Sequence, residues 1–149
     1  LCLSGALGSG YIGLKEYKRN GALNSTTKSY LFPSAQIAYG RVISSIASSA
    51  IDISDGILQD LSHLTSSSGV GCNLDLDQVP VVDKQYKKQC LEFGDDYQLL
   101  FTVSPKKLLA LQAKLNSIKK KCHTIGVMSG KKLILTNKKG SIKSWDHFK

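Results

Sequence analysis

Apolar residues recur at the spacing of amphipathic helices in three segments of the chain. The first is residues 34–48, with Ser34 as a candidate N-cap. Four apolar residues share its predicted buried face: Ile37, Val42, Ile43 and Ile46. The second is residues 56–66, which Gly69 should end. Its apolar face is formed by Ile57, Leu58, Leu61 and Leu64. The third is residues 104–118, opened by a serine-proline pair.

Short apolar or alternating runs predict the strands. They lie at residues 49–54, 97–103 and 124–128, and in the segment 70–80, where Val70, Cys72, Leu74 and Leu76 alternate with polar residues. A hairpin is predicted in KLILTNKKGSIKSW, with its turn from Asn137 to Gly140. Because helices and strands mix without a strict βαβ order, the predicted fold class is α+β, with helices packed on a mixed β-sheet.

The net charge of +9 is segregated along the chain. Nine of the eleven acidic residues lie between positions 52 and 96, and twelve lysines lie between positions 106 and 149. A face that binds nucleic acid would add arginine and aromatic side chains to such lysines. Arginine occurs only at positions 19 and 41, and no aromatic residue interrupts the lysine-rich part before Trp145. We therefore interpret the lysines as a solvated surface and expect no nucleic-acid partner.

Length, apolar runs and cysteine placement predict one soluble domain. A domain of 149 residues buries roughly 70% of the surface of its unfolded chain. No apolar run approaches the roughly 20 residues that span a bilayer, so we expect no membrane partner. The four cysteines form no C-x-x-C pair, which favours reduced thiols and a cytoplasmic location. Because the chain starts at Leu1 and its one methionine is Met128, we expect a piece of a longer protein.

The segment AIDISDGILQDL, residues 50–61, places two carboxylates at the end of a predicted strand. Asp52 and Ser54 point the same way on a strand, and Asp55 lies where the next helix begins, so the three groups can converge. Two carboxylates about 4 Å apart repel by about 4 kcal/mol at an effective dielectric constant near 20, which favours a bound cation. Mg²⁺ suits such a partial site, because it binds one or two carboxylates plus substrate phosphates. The spacing equally permits a structural alternative, in which Asp55 caps the helix and Asp52 is solvated.

A second acidic pair, Asp95 and Asp96, follows Gly94 and precedes an apolar strand. Composition alone favours an acidic turn that enters a strand over a binding site. Trp145 is the only tryptophan, and a tryptophan near a chain end packs into a core more often than it stacks on a ligand. His147 is interpreted as structural. Composition alone therefore assigns no function to these residues.

Six segments in sequence order carry a family resemblance: SGALGSGYIGL, AIDISDGILQDLSHL, SGVGCNLDLDQVP, GDDYQLLFTV, IGVM and WDHF. Together they resemble the C-terminal domain of bacterial thiamine-monophosphate kinases. The most specific features are I-D-x-S-D-G, the downstream G-[ED]-D-Y-x-L and the terminal W/Y-D-H-F. The resemblance covers nearly the whole chain and implies the fold of the aminoimidazole ribonucleotide synthetase superfamily.

The resemblance implies transfer of the γ-phosphoryl group of ATP to thiamine monophosphate, which gives thiamine diphosphate. It implies that Asp52 and Asp55 bind Mg²⁺ and that Ser54 contacts ATP. The implied substrate-binding residues are Trp145 and Asp95, where the family usually has glutamate. No catalytic nucleophile is expected, because direct transfer to a phosphate depends on charge neutralisation and alignment.

The resemblance also implies partners for the chain. Family members carry an N-terminal domain that dimerises and supplies most of the nucleotide and magnesium ligands. Residues 1–149 would then be one C-terminal domain of a longer, homodimeric kinase and inactive alone. Two alternatives remain: a related ATP-dependent synthetase or hydrogenase-maturation-type protein with another acceptor, and a non-catalytic domain that keeps only the fold.

Overall fold

The computed structural model describes residues 1–130 and the backbone of residues 133–136. The strands of this part are β1 (Cys2–Leu3), β2 (Ser49–Asp52), β3 (Cys72–Asp75), β4 (Leu99–Thr102), β5 (His123–Thr124), β6 (Gly126–Met128) and β7 (Leu133–Thr136). The helices are α1 (Ser9–Asn20), α2 (Ser25–Leu31), α3 (Ile37–Ile43), α4 (Ile57–Ser68), α5 (Lys87–Glu92) and α6 (Pro105–Ser117). A single 3₁₀ turn, Lys84–Tyr86, precedes α5.

The strands form two sheets. One has the order β2-β4-β1-β5, with every neighbouring pair antiparallel. The other has the order β6-β3-β7, in which β3 pairs antiparallel with β6 and parallel with β7. The α+β class with a mixed sheet, predicted from the sequence, is therefore confirmed.

The four-stranded sheet separates two hydrophobic cores. Successive residues of a strand point to opposite faces. Accordingly, Leu3 and Leu100 pack on one side with α4 and β3, whereas Cys2 and Phe101 pack on the other side with α3 and α6. The two central strands, β1 and β4, are thus covered on both faces, and except for Thr102 they consist of apolar residues without polar alternation.

The predicted helices at 56–66 and 104–118 are confirmed as α4 and α6, but the one at 34–48 is shorter. It is α3, whose N-cap is Gln36 rather than Ser34. Ile37 is 64% exposed, so its assignment to the buried face is wrong. The buried residues of α3 are Tyr39 and Ile43. Ile37 precedes Tyr39 by two positions, which is about 200° around the helix axis, so it points to the opposite side. The pattern had left out this tyrosine.

The predicted strand at 124–128 is two strands in different sheets. Ile125 lies between β5 and β6 and is fully buried, and its N–H donates to the carbonyl of Leu1. The other predicted strands are present with shorter bounds as β2, β3 and β4. The turn predicted from Asn137 to Gly140 lies outside the described residues. Among residues 1–130 and 133–136, no helix has the length and apolar character required to span a membrane.

Helix α6 offers a matched pair of leucines that tests the hydrophobic core formed by Phe101, α3 and α6. Leu111 is fully buried beside Phe101, whereas Leu109 on the same helix is 79% exposed. We expect Leu111→Ala to lower the free energy of unfolding by about 2–5 kcal/mol, because it removes buried contacts and leaves a cavity. Leu109→Ala should change it by less than about 0.5 kcal/mol. Chemical denaturation of both variants measures this difference, and equal losses would contradict the described packing of α6.

Candidate functional site

The acidic segments 52–55 and 94–97 meet where strands β2 and β4 adjoin. Asp52 ends β2 and is paired with Leu99, the first residue of β4. Three backbone hydrogen bonds extend the contact past this pair: Ile53 N to Gln98 O (2.8 Å), Tyr97 N to Ile53 O (2.9 Å) and Asp95 N to Ser54 O (3.0 Å). Two segments that lie about 40 residues apart in sequence are therefore fixed side by side.

Gly94 permits this close approach. A Cβ atom at position 94 would overlap the carbonyl group of Ser54 and crowd the amide of Asp55. The next residues are also constrained, since Asp95 and Tyr97 have φ angles of 59° and 50°. Non-glycine residues keep such angles only where their surroundings enforce them, and they are frequent at functional sites. The loop 94–97 thus has a conformation that is set by its contact with residues 53–55.

The structure brings together four of the five predicted site residues: Asp52, Ser54, Asp55 and Asp95. Asp52 is exposed, and the other three are half-buried. Trp145 and His147 lie outside the described residues, so the proximity of Trp145 to Asp95 stays a prediction.

Tyr97 joins the two acidic segments and was not singled out from the sequence. Its hydroxyl group donates to Asp95 Oδ1 at 3.3 Å. Burial raises the pKa of Tyr97, and the negative charges of Asp95, Asp52 and Asp55 raise it further. One phenol therefore lies within electrostatic reach of all three predicted site carboxylates.

The alternative in which Asp55 caps helix α4 is wrong. The N-cap of α4 is Gly56, which has no side chain to cap the helix. Asp55 Oδ2 accepts a hydrogen bond from Gln59 Nε2 at 3.1 Å. The carboxylate that binds backbone amides here is Asp60, whose Oδ2 accepts from the N–H groups of Ser54 and Asp55, each at 3.1 Å.

Asp60 is 2% exposed and lies on the buried face of α4. Burial raises the pKa of Asp60 to about 6, whereas the hydrogen bond from the Asp55 amide lowers it and the charge of Asp55 raises it. Sequence reasoning missed this residue, although it follows Ile57 by three positions and precedes Leu61. An acidic residue at a core position of an apolar helical face was the available signal.

Asp96 is the second buried carboxylate of the site, at 6% exposure. It accepts hydrogen bonds from Gly8 N (2.7 Å), Ser9 Oγ (2.8 Å) and Gly10 N (3.1 Å). Burial raises the pKa of Asp96, and these hydrogen bonds lower it. The two neighbouring acids therefore differ: Asp96 is buried and binds the N-terminus of α1, whereas Asp95 is half-buried and accepts a hydrogen bond from Tyr97.

The carboxylates fit part of a magnesium site. Carboxylate oxygens are suitable Mg²⁺ ligands, and Mg²⁺ is commonly held by one or two of them together with substrate phosphates. Asp52 and Asp55 are two solvent-accessible carboxylates at the same turn between β2 and α4. Among residues 1–130, no group of three or more histidine, cysteine, aspartate or glutamate side chains could hold a metal ion by itself. Further ligands would have to come from outside this group.

Comparison with known proteins shows several similar thiamine-monophosphate kinases. The thiamine-monophosphate kinase of Buchnera aphidicola subsp. Schizaphis graminum (strain Sg) is 32% identical, over 98% of this chain and 51% of that protein. The crystal structure of thiamine-monophosphate kinase from Stenotrophomonas maltophilia K279a has a TM-score of 0.80 and 26% identity, over 93% of this chain and 50% of that one. The structure of AaThiL complexed with AMPPCP and TMP has a TM-score of 0.78 and 28% identity, over 99% of this chain and 50% of that one.

This chain spans about half the length of these three proteins. The family described as AIR synthase related protein, C-terminal domain, matches residues 18–136, which is most of the chain. The resemblance found in the sequence is therefore confirmed, and the chain belongs to this family of AIR synthase related C-terminal domains.

Proposed function

We propose that this chain is the C-terminal domain of a thiamine-monophosphate kinase, which transfers the γ-phosphoryl group of ATP to thiamine monophosphate. The observation that carries the proposal is the backbone contact that places Asp95 beside Ser54, within the same small region as Asp52 and Asp55. The similar proteins named thiamine-monophosphate kinase support the choice of reaction, and the complex of AaThiL with the ATP analogue AMPPCP and TMP supports the choice of substrates.

The residues of this chain divide between the two substrates. Asp52 and Asp55 would hold Mg²⁺, which when bound would neutralise phosphate charge and align the reacting oxygens. The Ser54 hydroxyl, between them in sequence, would contact ATP. Asp95 would bind the thiamine moiety, with its carboxylate oriented by the Tyr97 hydroxyl, and Trp145 would stack on the cationic thiazolium.

The remaining ligands would come from an N-terminal domain of a longer protein, through which two copies would form a homodimer. The further domain is supported by the share of the relatives' length that the chain spans, about half. It is also supported by the ligand set, because no group of three or more histidine, cysteine, aspartate or glutamate side chains within residues 1–130 could hold a metal ion by itself.

The isolated chain should therefore form no thiamine diphosphate, whereas the full-length protein should form it in the presence of Mg²⁺ and ATP. Chromatographic detection of thiamine diphosphate measures both. Formation by the isolated chain would contradict the division of ligands between two domains. If the full-length protein instead turns over ATP only with a different acceptor, the proposed substrate is wrong.

Removing either proposed magnesium ligand should reduce catalysis much more than stability. In the full-length protein, we expect Asp52→Asn and Asp55→Asn each to lower kcat by about 100-fold or more, since residues that merely support metal ligands already contribute 10- to 100-fold. Asp77→Asn is the matched control, because Asp77 is a 60% exposed carboxylate that pairs with Lys87 and has no proposed role in binding either substrate. Steady-state kinetics and thermal unfolding are measured for each variant. Turnover within about threefold of wild type for both site variants would refute the metal-binding role.

Changes at the proposed thiamine-binding residues should affect the KM for thiamine monophosphate and not the KM for ATP. We expect Trp145→Ala in the full-length protein to raise the KM for thiamine monophosphate by up to about 30-fold, because a cation–π contact contributes about 0.5–2 kcal/mol. Asp95→Ala should also raise this KM, because it removes a charged hydrogen-bond acceptor. The KM for ATP should change little and serves as the internal control. Trp145→Phe keeps an aromatic face and should retain most of the affinity. A parallel rise in both KM values would show that these residues do not recognise thiamine.

A further inference from the structure

The carboxylate of Asp60 occupies a position where an apolar side chain would ordinarily pack. It lies on the buried face of α4, whose residues Ile57, Leu61 and Leu64 belong to the hydrophobic core that includes Leu3 and Leu100. Burying a carboxylate is unfavourable unless hydrogen bonds replace its lost hydration. The nearby negative charges of Asp55 and Asp52 add to this cost. A residue that only filled the core would be better as leucine.

The hydrogen bonds of Asp60 go to one short stretch of backbone. Its Oδ2 atom accepts from the amides of Ser54 and Asp55, which are two of the residues proposed to bind ATP and Mg²⁺. Both bonds are 3.1 Å long and converge on the same oxygen. Because Gly56 is the N-cap of α4, these bonds fix the turn that precedes the helix and do not close the helix itself.

The same stretch is fixed from the other side. The carbonyl groups of Ile53 and Ser54 accept hydrogen bonds from the amides of Tyr97 and Asp95. At Ser54, therefore, the N–H group is bound by Asp60 and the carbonyl group is bound by the loop 94–97. Fixing both peptide groups of Ser54 restricts the backbone from which the side chains of Ser54 and Asp55 extend, and so the direction in which each side chain leaves it.

We propose that Asp60 is a positioning residue, which holds the Ser54–Asp55 backbone so that these two side chains are oriented for ATP and its metal ion before either binds. This inference rests on the proposed function for its catalytic consequence, but the positioning itself is a property of the ligand-free protein. Asp60 touches no substrate and acts through its two amide hydrogen bonds.

Three variants of the full-length protein separate positioning from packing. Asp60→Asn keeps an acceptor oxygen for both amides, Asp60→Leu keeps the volume without an acceptor, and Thr65→Val is the matched control. Thr65 is a buried polar residue of the same helix, and its hydroxyl group donates to Ser62 O away from the turn. We expect Asp60→Leu to lower kcat by about 10- to 100-fold, the range typical of residues that orient metal ligands. Asp60→Asn should stay within about threefold of wild type, and Thr65→Val should do the same.

Amide hydrogen exchange gives a second readout that does not require activity. In the ligand-free protein, Asp60→Leu should accelerate exchange at Ser54 and Asp55 by at least about tenfold, and Thr65→Val should leave it unchanged. If Asp60→Asn lost as much activity as Asp60→Leu, or if activity followed melting temperature in all three variants, the proposal would be overturned.

The wild-type protein provides a test that does not depend on the folding of any variant. Exchange of the Ser54 and Asp55 amides at the rate of an unfolded chain would by itself overturn the positioning role. The proposed function fails separately, if wild-type protein forms no thiamine diphosphate. In that case, slow exchange of the Ser54 and Asp55 amides in the wild-type protein, together with faster exchange in Asp60→Leu, would still support the role of Asp60 in the turn.

Discussion

The close contact between the backbones of residues 53–55 and 94–97 is the constraint on which the candidate site depends. It is an extension of the β2–β4 pairing beyond the end of the sheet, and it requires glycine at position 94. Because strand register is fixed by burial of alternate residues, the hydrophobic cores on either side of β4 also determine which residues of the two turns meet. Packing of Leu100 and Phe101 thereby places Asp95 next to Ser54.

The acidic residues around this contact are stabilised in two different ways. Asp60 and Asp96 are buried, and each carboxylate binds backbone amides, which replace the water that it loses on folding. Asp52, Asp55 and Asp95 retain access to solvent. The buried acids therefore form part of the architecture, and the accessible acids are the ones to which the proposed function assigns a ligand. This division explains how a chain of net charge +9 can concentrate its acids in one region without burying them unpaired.

Prediction from the sequence succeeded where a helix or strand buries a regular apolar pattern. Helices α4 and α6 have such patterns and distinct ends, and the predicted change from strand to helix near Asp55 is present between β2 and α4. The sequence could not reveal that Asp96 binds the start of α1, since 88 residues separate Asp96 from Gly8. Nor could local spacing show that Asp60, rather than Asp55, binds the amides of the turn. Such long-range and side-chain-to-backbone contacts depend on tertiary structure, which periodicity does not encode.

Helix α1 was not predicted from the sequence, and the glycines on its buried face are also what bring it close to the candidate site. The fully buried residues of α1 are Gly10 and Gly13, and its larger apolar residues, such as Ile12 and Leu14, are only partly buried. A Cβ at position 10 would crowd the carbonyl groups of Gly94 and Asp95, and one at position 13 would crowd Tyr30 and the carbonyl of Thr26. Glycine thus lets α1 approach the loop 94–97 closely enough for its first amides to reach the Asp96 carboxylate. The absence of a side chain at Gly10 is what allows the helix to lie against the loop that contains Asp95.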